Sequence, residues 1–119
     1  MDLGRKNQNE SLKTMKQLSV HELHQWQQEA KPFQLIDVRE RWEHDLCKLD
    51  HSILAPLTLL QFNPPDLDKN KPLVVYCHHG VRSIAGCTML EQRGYSEVYN
   101  LSGGIDQYAQ MVDLTMARY

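Results

Sequence analysis

The stretch from Leu73 to Gly94 constrains the fold of this chain more than any other. It begins with an unbroken apolar run, Leu73 to Tyr76, which predicts a strand buried on both faces of a parallel sheet. Small and apolar residues then recur at helical spacing from Ser83, and Gly94 is typical of the residue that follows a helix. Cys77 lies between these two elements. The predicted order is therefore a strand, a short loop with a cysteine, and a helix.

This order places Cys77 where open α/β sheets bind ligands, outside the carboxyl end of a strand and beside a helix N-terminus. Unpaired N–H groups and the positive end of the helix dipole favour the ionised form of a thiol there. Arg82 adds a fixed cation whose planar donors suit an oxyanion, and Gly80 allows the N–H groups of the loop to point inward. We therefore interpret Cys77 as a reactive nucleophile, in preference to a buried structural cysteine.

The loop CHHGVRS, residues 77–83, resembles the active-site loop of single-domain sulfurtransferases of the rhodanese family, in which a cysteine opens the loop and an arginine closes it. LIDVRE (residues 35–40) and VYNLSGGI (residues 98–105) extend the resemblance, which covers the chain from Lys16 to its last residue. Residues 47–51 depart from the commonest family pattern and resemble the rhodanese domains fused to ubiquitin-like-protein adenylyltransferases. The family implies an α/β fold: a three-layer domain with a central parallel five-stranded sheet and helices on both faces.

The resemblance also implies a reaction, the transfer of a sulfane sulfur through a persulfide on Cys77. Thiosulfate or a persulfide would be the donor, and cyanide or a thiol the acceptor, with a sulfur-relay protein as a further partner consistent with this chemistry. No dissociable cofactor is expected. The implied catalytic residues are Cys77 and Arg82, and the implied substrate-binding loop consists of His78, His79, Gly80, Val81 and Ser83.

Two charged residues, Asp37 and Arg39, follow a second apolar run and are expected on the same edge of the sheet as Cys77. They would support the residues that touch substrate. Asp37 can instead form an ion-pair clamp that fixes the loops, and Arg39 can either join that clamp or add a cation near the thiolate. Both alternatives remain open from the sequence.

A metal site is not expected from the histidines of the loop. Cys77, His78 and His79 are adjacent, and three consecutive residues of a tight loop cannot all point at one ion. His21 and His24 are three residues apart on a predicted helix, but no matching ligands lie nearby in the sequence, so we interpret them as surface residues.

Two other functions are compatible with the motif. One is a cysteine phosphatase or arsenate reductase of the same fold, and the other is a non-catalytic sulfur carrier or interaction module. Four residues separate Cys77 from Arg82, one fewer than in the cysteine phosphatases that the family resembles. A shorter loop favours a cradle for one sulfur atom over one for a tetrahedral phosphate.

Length and composition limit the size of the fold and the kinds of partner that the chain can bind. A chain of 119 residues is long enough for one core, and we predict a single domain over residues 15–119 after a disordered extension, residues 1–14. A formal net charge of −2 does not suggest a basic surface for binding nucleic acid. No apolar stretch is long enough to span a membrane. We therefore expect a cytoplasmic protein that binds neither nucleic acid nor membrane. Three cysteines without a C-x-x-C pair indicate reduced thiols.

The remaining hydrophobic pattern predicts strands alternating with helices, an order typical of a parallel sheet covered on both faces. Strands are predicted at about residues 16–19, 34–38, 52–55, 73–76 and 98–101, and helices at about 20–30, 41–45, 57–62, 83–93 and 105–111. Ser19 and Glu22 form a capping-box pattern before the first helix.

Overall fold

The computed structural model describes residues 15–119, in which strands and helices alternate. The strands are β1 (Met15–Leu18), β2 (Gln34–Asp37), β3 (Ile53–Leu54), β4 (Leu73–Tyr76) and β5 (Val98–Leu101). The helices are α1 (Val20–Gln28), α2 (Arg41–Leu46), α3 (Leu57–Leu60), α4 (Arg82–Gln92) and α5 (Gly104–Met111). Every predicted element is present, with ends that differ by a residue or two. The predicted disordered extension, residues 1–14, lies outside the described residues.

The five strands form one parallel sheet in the order β1-β5-β4-β2-β3. The central strand, β4, pairs with β2 on one side and with β5 on the other, so that Val75 is in register with Ile36 and Asn100. The carboxyl ends of all the strands meet at one edge of the sheet. Cys77 follows β4 and Val38 follows β2 at that edge, which confirms the predicted sheet and its central strand.

Both faces of β4 are buried, as its continuous apolar sequence predicts. Leu73 and Val75 belong to a core cluster shared with α3 and α4, whereas Val74 and Tyr76 belong to a second cluster shared with α1 and α5. Successive side chains of a strand point to opposite faces, so the two clusters lie on opposite sides of the sheet. The domain is therefore a three-layer α/β structure.

The first helix begins as its sequence predicts. The N–H of Glu22 donates to Oγ of Ser19 over 3.0 Å, and the N–H of Ser19 donates to Oε1 of Glu22 over 2.8 Å, which completes a capping box. Among residues 15–119, no helix has the length and hydrophobicity needed to cross a membrane.

Candidate active site

Cys77 lies in a cradle of backbone donors at the carboxyl end of β4. Its side chain is buried, and its Sγ accepts the N–H of Gly80 over 3.1 Å and the N–H of Ser83 over 3.3 Å. Ser83 is the second residue of α4, so its N–H is one of those that a helix leaves without an internal partner. The arrangement predicted for the loop, with N–H groups turned toward the sulfur, is present at these two positions.

A chain of side-chain hydrogen bonds continues from the sulfur into the sheet. The thiol of Cys77 donates to Oγ of Ser83 over 3.3 Å, and the hydroxyl of Ser83 donates in turn to Oδ1 of Asn100. Nδ2 of Asn100 donates to the carbonyl of Gly80 and to Oε1 of Gln17, each over 3.0 Å. Asn100 therefore fixes both the hydroxyl beside the sulfur and the backbone of the loop.

Glycine is needed where the loop closes against the rest of the domain. Gly80 has a φ of +90°, and a Cβ on it would lie 2.9 Å from the backbone nitrogen of Gly103. Gly104 has a φ of +63°, and a Cβ there would lie 2.3 Å from the carbonyl oxygen of His78. Real Cβ atoms do not approach so closely, so both glycines allow α5 to press against the loop.

Arg82 forms a two-pronged ion pair with Glu43 of α2. Nη1 and Nη2 of the guanidinium donate to Oε1 and Oε2 of the carboxylate over 2.9 and 2.8 Å. Burial opposes ionisation of Glu43, but hydrogen bonds from Arg82 and Tyr119 lower its pKa to about 2. Of the five N–H donors of a guanidinium, three are left that no hydrogen bond uses among residues 15–119.

Asp37 and Arg39 form a fully buried ion pair near the same edge of the sheet. Nε and Nη2 of Arg39 donate to the two carboxylate oxygens of Asp37 over 2.9 and 2.8 Å. Nη1 of Arg39 donates to the hydroxyl of Tyr119 over 3.0 Å, and that hydroxyl donates to Oε2 of Glu43 over 2.6 Å. Asp37 and Arg39 are thereby connected to Arg82, through Tyr119 and Glu43.

The two histidines of the loop stack on one another, with ring centroids 4.0 Å apart. The other face of His78 stacks on Tyr119 at 3.9 Å, nearly parallel. Burial, reinforced by the neighbouring charge of His79, lowers the pKa of His78 below its ordinary value. Val81 is 73% exposed at the outside of the loop.

Four further residues at this edge are not identified from the sequence: Glu43, Asn100, Asp106 and Tyr119. Asn100 had a detectable signal, because it is a polar residue inside the otherwise apolar strand β5. Glu43 and Asp106 look like ordinary first-turn acids of a helix, and the segment of Tyr119 has no periodic pattern. Their positions depend on tertiary contacts.

Comparisons with known proteins agree with this fold. The family model described as the Rhodanese-like domain matches residues 19–111. The thiosulfate sulfurtransferase GlpE of Coxiella burnetii is 31% identical over 74 residues, which are 62% of this chain and 69% of that protein. The probable adenylyltransferase/sulfurtransferase MoeZ of Mycobacterium tuberculosis is 30% identical over 104 residues, 86% of this chain but 26% of that protein, so the chain spans about a quarter of this relative.

A solved structure shows the same fold. The rhodanese-related protein of Thermoplasma volcanium superposes with a TM-score of 0.72 at 28% identity, over 82% of this chain and 93% of that one. The family match covers most of the chain, and it includes β4, the loop and α4, on which the site is built. The chain therefore belongs to the rhodanese-like domain family.

Proposed function

We propose that the protein is a sulfurtransferase that moves a sulfane sulfur from thiosulfate or a persulfide donor to cyanide or a thiol, through a persulfide on Cys77. The observation that carries the proposal is the position of Cys77 Sγ, which accepts two backbone N–H groups at the amino end of α4. These donors favour negative charge on sulfur in both the thiolate and the persulfide. Sulfurtransferases among the relatives support the same reaction class.

In the first half-reaction the thiolate of Cys77 attacks the outer sulfur of thiosulfate. A new sulfur–sulfur bond forms on Cys77, the sulfur–sulfur bond of thiosulfate breaks, and its electron pair leaves with sulfite. Arg82 would steady the departing oxyanion with the guanidinium donors that Glu43 does not use. Glu43 would hold the guanidinium in place, because a bidentate pair fixes its plane.

In the second half-reaction an acceptor removes the outer sulfur. Cyanide or a thiolate attacks the terminal sulfur of the persulfide, the bond to Sγ breaks, and the Cys77 thiolate is regenerated as the leaving group. The N–H groups of Gly80 and Ser83 would stabilise that thiolate. This is covalent catalysis, in which one difficult transfer is divided into two easier ones. A sulfur-relay protein could present either the donor persulfide or the acceptor thiol.

The test is intact-mass analysis of the reduced protein after incubation with thiosulfate, followed by peptide mapping. We expect a gain of one sulfur atom on Cys77, removal of that atom by cyanide with formation of thiocyanate, and no gain in Cys77→Ser. Cys47→Ser is the matched control and should gain sulfur as the wild type does.

A different result would favour the phosphatase alternative. Robust hydrolysis of aryl phosphates, with no sulfur gained from thiosulfate or from a persulfide donor, would contradict the sulfurtransferase proposal.

Insertion of one residue between Gly80 and Arg82 lengthens the loop to that of the cysteine phosphatases. It should depress sulfur transfer, because small displacements of reacting groups cost about 100-fold in rate.

A further inference from the structure

Three side chains with metal-binding atoms meet beside the loop. Nε2 of His78 lies 4.0 Å from Oδ1 of Asp106, and Nε2 of His79 lies 3.8 Å from Oδ2. The three ligand atoms of the cluster lie within 4.8 Å of one another. Zinc bonds of about 2.0–2.2 Å place tetrahedral ligands about 3.4 Å apart, so small movements of exposed or half-buried side chains are enough to reach that spacing.

His78 contributes an unusual buried atom to this cluster. Its Nε2 is shielded from solvent and has no hydrogen-bond partner among residues 15–119. Buried polar atoms are nearly always paired, because an unpaired one loses its interaction with water without compensation. A metal ion bound to this nitrogen would remove that cost.

The backbone holds the contributing segments in place. The N–H of Ile105 donates to the carbonyl of Cys77, and the N–H of Asp106 donates to the carbonyl of His78, each over 3.0 Å. Gly104 permits this close approach, as its position against His78 shows. Nε2 of Gln110 also donates to Oδ2 of Asp106 over 2.8 Å, which orients the carboxylate. These contacts hold the segments that carry the three side chains against one another.

We propose that His78, His79 and Asp106 form a binding site for a divalent transition-metal ion, Zn²⁺ above all. Two imidazoles and one carboxylate are a donor set typical of zinc sites that keep a fourth position open. The sulfur of Cys77 is turned toward Gly80 and Ser83, and Asp106 supplies the third ligand that the loop sequence lacks. His79 is 63% exposed, which gives an ion a path from solvent.

One residue of the chain competes with the ion. Nε and Nη2 of Arg118 each lie 3.1 Å from Oδ1 of Asp106. A guanidinium and a metal ion both need the negative charge of this carboxylate, so binding of one weakens binding of the other. Removing the guanidinium should therefore strengthen metal binding at this site. Nonspecific binding of the ion by exposed histidines would not respond to this change.

The experiment is a calorimetric titration of the full chain with Zn²⁺, paired with an absorption titration with Co²⁺. A tag-free Cys47→Ser/Cys77→Ser background removes the partly exposed thiol of Cys47 and the thiol of the loop, Cys77, so that neither can bind the metal. We expect one equivalent of each ion, with Co²⁺ ligand-field bands and no thiolate charge-transfer band. His79→Ala and Asp106→Asn should weaken binding by at least about 10-fold, and Arg118→Ala should tighten it.

Controls separate this site from other histidines and from misfolding. His24→Ala removes an exposed imidazole of α1 and should leave the titration unchanged. Arg41→Ala removes an exposed guanidinium paired with Asp45 and should not tighten binding. Circular dichroism of each variant confirms that it is folded. The proposal would be overturned if no saturable site is found, or if His79→Ala binds the ion as tightly as the parent protein. The claim that Arg118 competes with the ion would be overturned if Arg118→Ala binds it no more tightly.

Discussion

Cys77 and Cys87 are both buried, yet the groups around their sulfur atoms differ. Cys77 accepts two backbone N–H groups, whereas burial among apolar side chains raises the pKa of Cys87 to about 12. The thiolate is the nucleophilic form, so burial alone does not decide reactivity. In this domain, the position relative to N–H donors separates the thiol that we propose as the nucleophile from a packing thiol.

We predict that Cys77 is alkylated fastest of the three cysteines. Its Sγ accepts two backbone N–H groups, a setting typical of reactive cysteines, whereas burial raises the pKa of Cys87 to about 12 and keeps it a thiol between pH 6 and pH 9. Iodoacetamide labelling of the native protein between pH 6 and pH 9, quantified by peptide mass spectrometry, measures the three rates. Labelling of Cys47 before Cys77 would contradict the activated thiolate, and labelling after unfolding gives the reference rates.

A second prediction concerns Arg82. Arg82→Ala should lower kcat/KM for thiosulfate. The loss should correspond to about 2.7–4 kcal/mol of transition-state stabilisation, the range found when one oxyanion donor is removed from an enzyme. Arg82→Lys should recover only part of this, because an ammonium cannot reproduce the planar donors or the bidentate pair with Glu43. Arg93→Ala, at the other end of α4, is the matched control and should keep its activity. Unchanged kinetics in Arg82→Ala would remove this residue from the site.

Substitution of Glu43 tests whether the contribution of Arg82 to sulfur transfer depends on their ion pair. Glu43→Gln keeps the side-chain shape but removes the charge that orients the guanidinium, so its loss of activity should overlap with that of Arg82→Ala. In a double-mutant cycle the two losses should be far from additive. Additive losses would show that Glu43 acts on the reaction independently of Arg82.

At the scale of elements, the contact between α5 and the loop is the critical one. Gly104→Ala should destabilise the fold, because its Cβ would meet the carbonyl oxygen of His78 and because its φ is positive. Gly94→Ala is the matched control, since its φ of +96° is also positive but the nearest atom to its Cβ is the flexible end of Lys69 at 3.3 Å. Backbone strain alone costs about 1–2 kcal/mol.

Urea unfolding of the two variants separates steric overlap from backbone strain. The free energy of unfolding should fall further in Gly104→Ala than in Gly94→Ala, and sulfur transfer should fall only in the former, because the loop carries Cys77. Equal losses of stability would mean that the close approach of α5 to His78 contributes nothing.

Most elements could be predicted from the sequence because their signals are local. The apolar run of β4, the capping box of α1 and the two glycines at the start of α5 each act within a few residues. The roles of Asn100 and Glu43 could not be assigned in this way. Each receives its role from a partner far along the chain, Ser83 in one case and Arg82 in the other. Local patterns therefore gave the scaffold, and the positions of the supporting polar groups needed the folded structure.

At the scale of the whole molecule, buried charges tie segments from different parts of the described chain together. Asp37 ends β2, Arg39 follows that strand, Glu43 lies on α2, Arg82 begins α4, and Tyr119 lies beyond α5. The hydroxyl of Tyr119 joins the two ion pairs by accepting from Arg39 and donating to Glu43. Asp37, Arg39 and Glu43 are buried, so removal of one of these charges leaves its partner unbalanced, which makes such networks sensitive to pH.

The network predicts a specific loss of stability in acid. Glu43 has a pKa of about 2 in the folded protein and about 4.3 when unfolded, so the unfolded chain takes up its proton first as the pH falls. The stabilisation from its charge is therefore complete above about pH 5 and is lost progressively toward pH 2. Protonation also removes the partner of Arg82 and the acceptor of Tyr119.

Urea unfolding at a series of pH values tests this prediction. Glu43→Gln should be less stable than the wild type near neutral pH, and the difference should shrink as the pH falls below about 4.3, where the wild type loses the same charge. Glu97→Gln, an exposed carboxylate before β5, is the control for the change of overall charge. A difference between Glu43→Gln and the wild type that stays constant down to about pH 2 would contradict the prediction, because the ion pair with Arg82 would then contribute nothing that depends on the charge of Glu43.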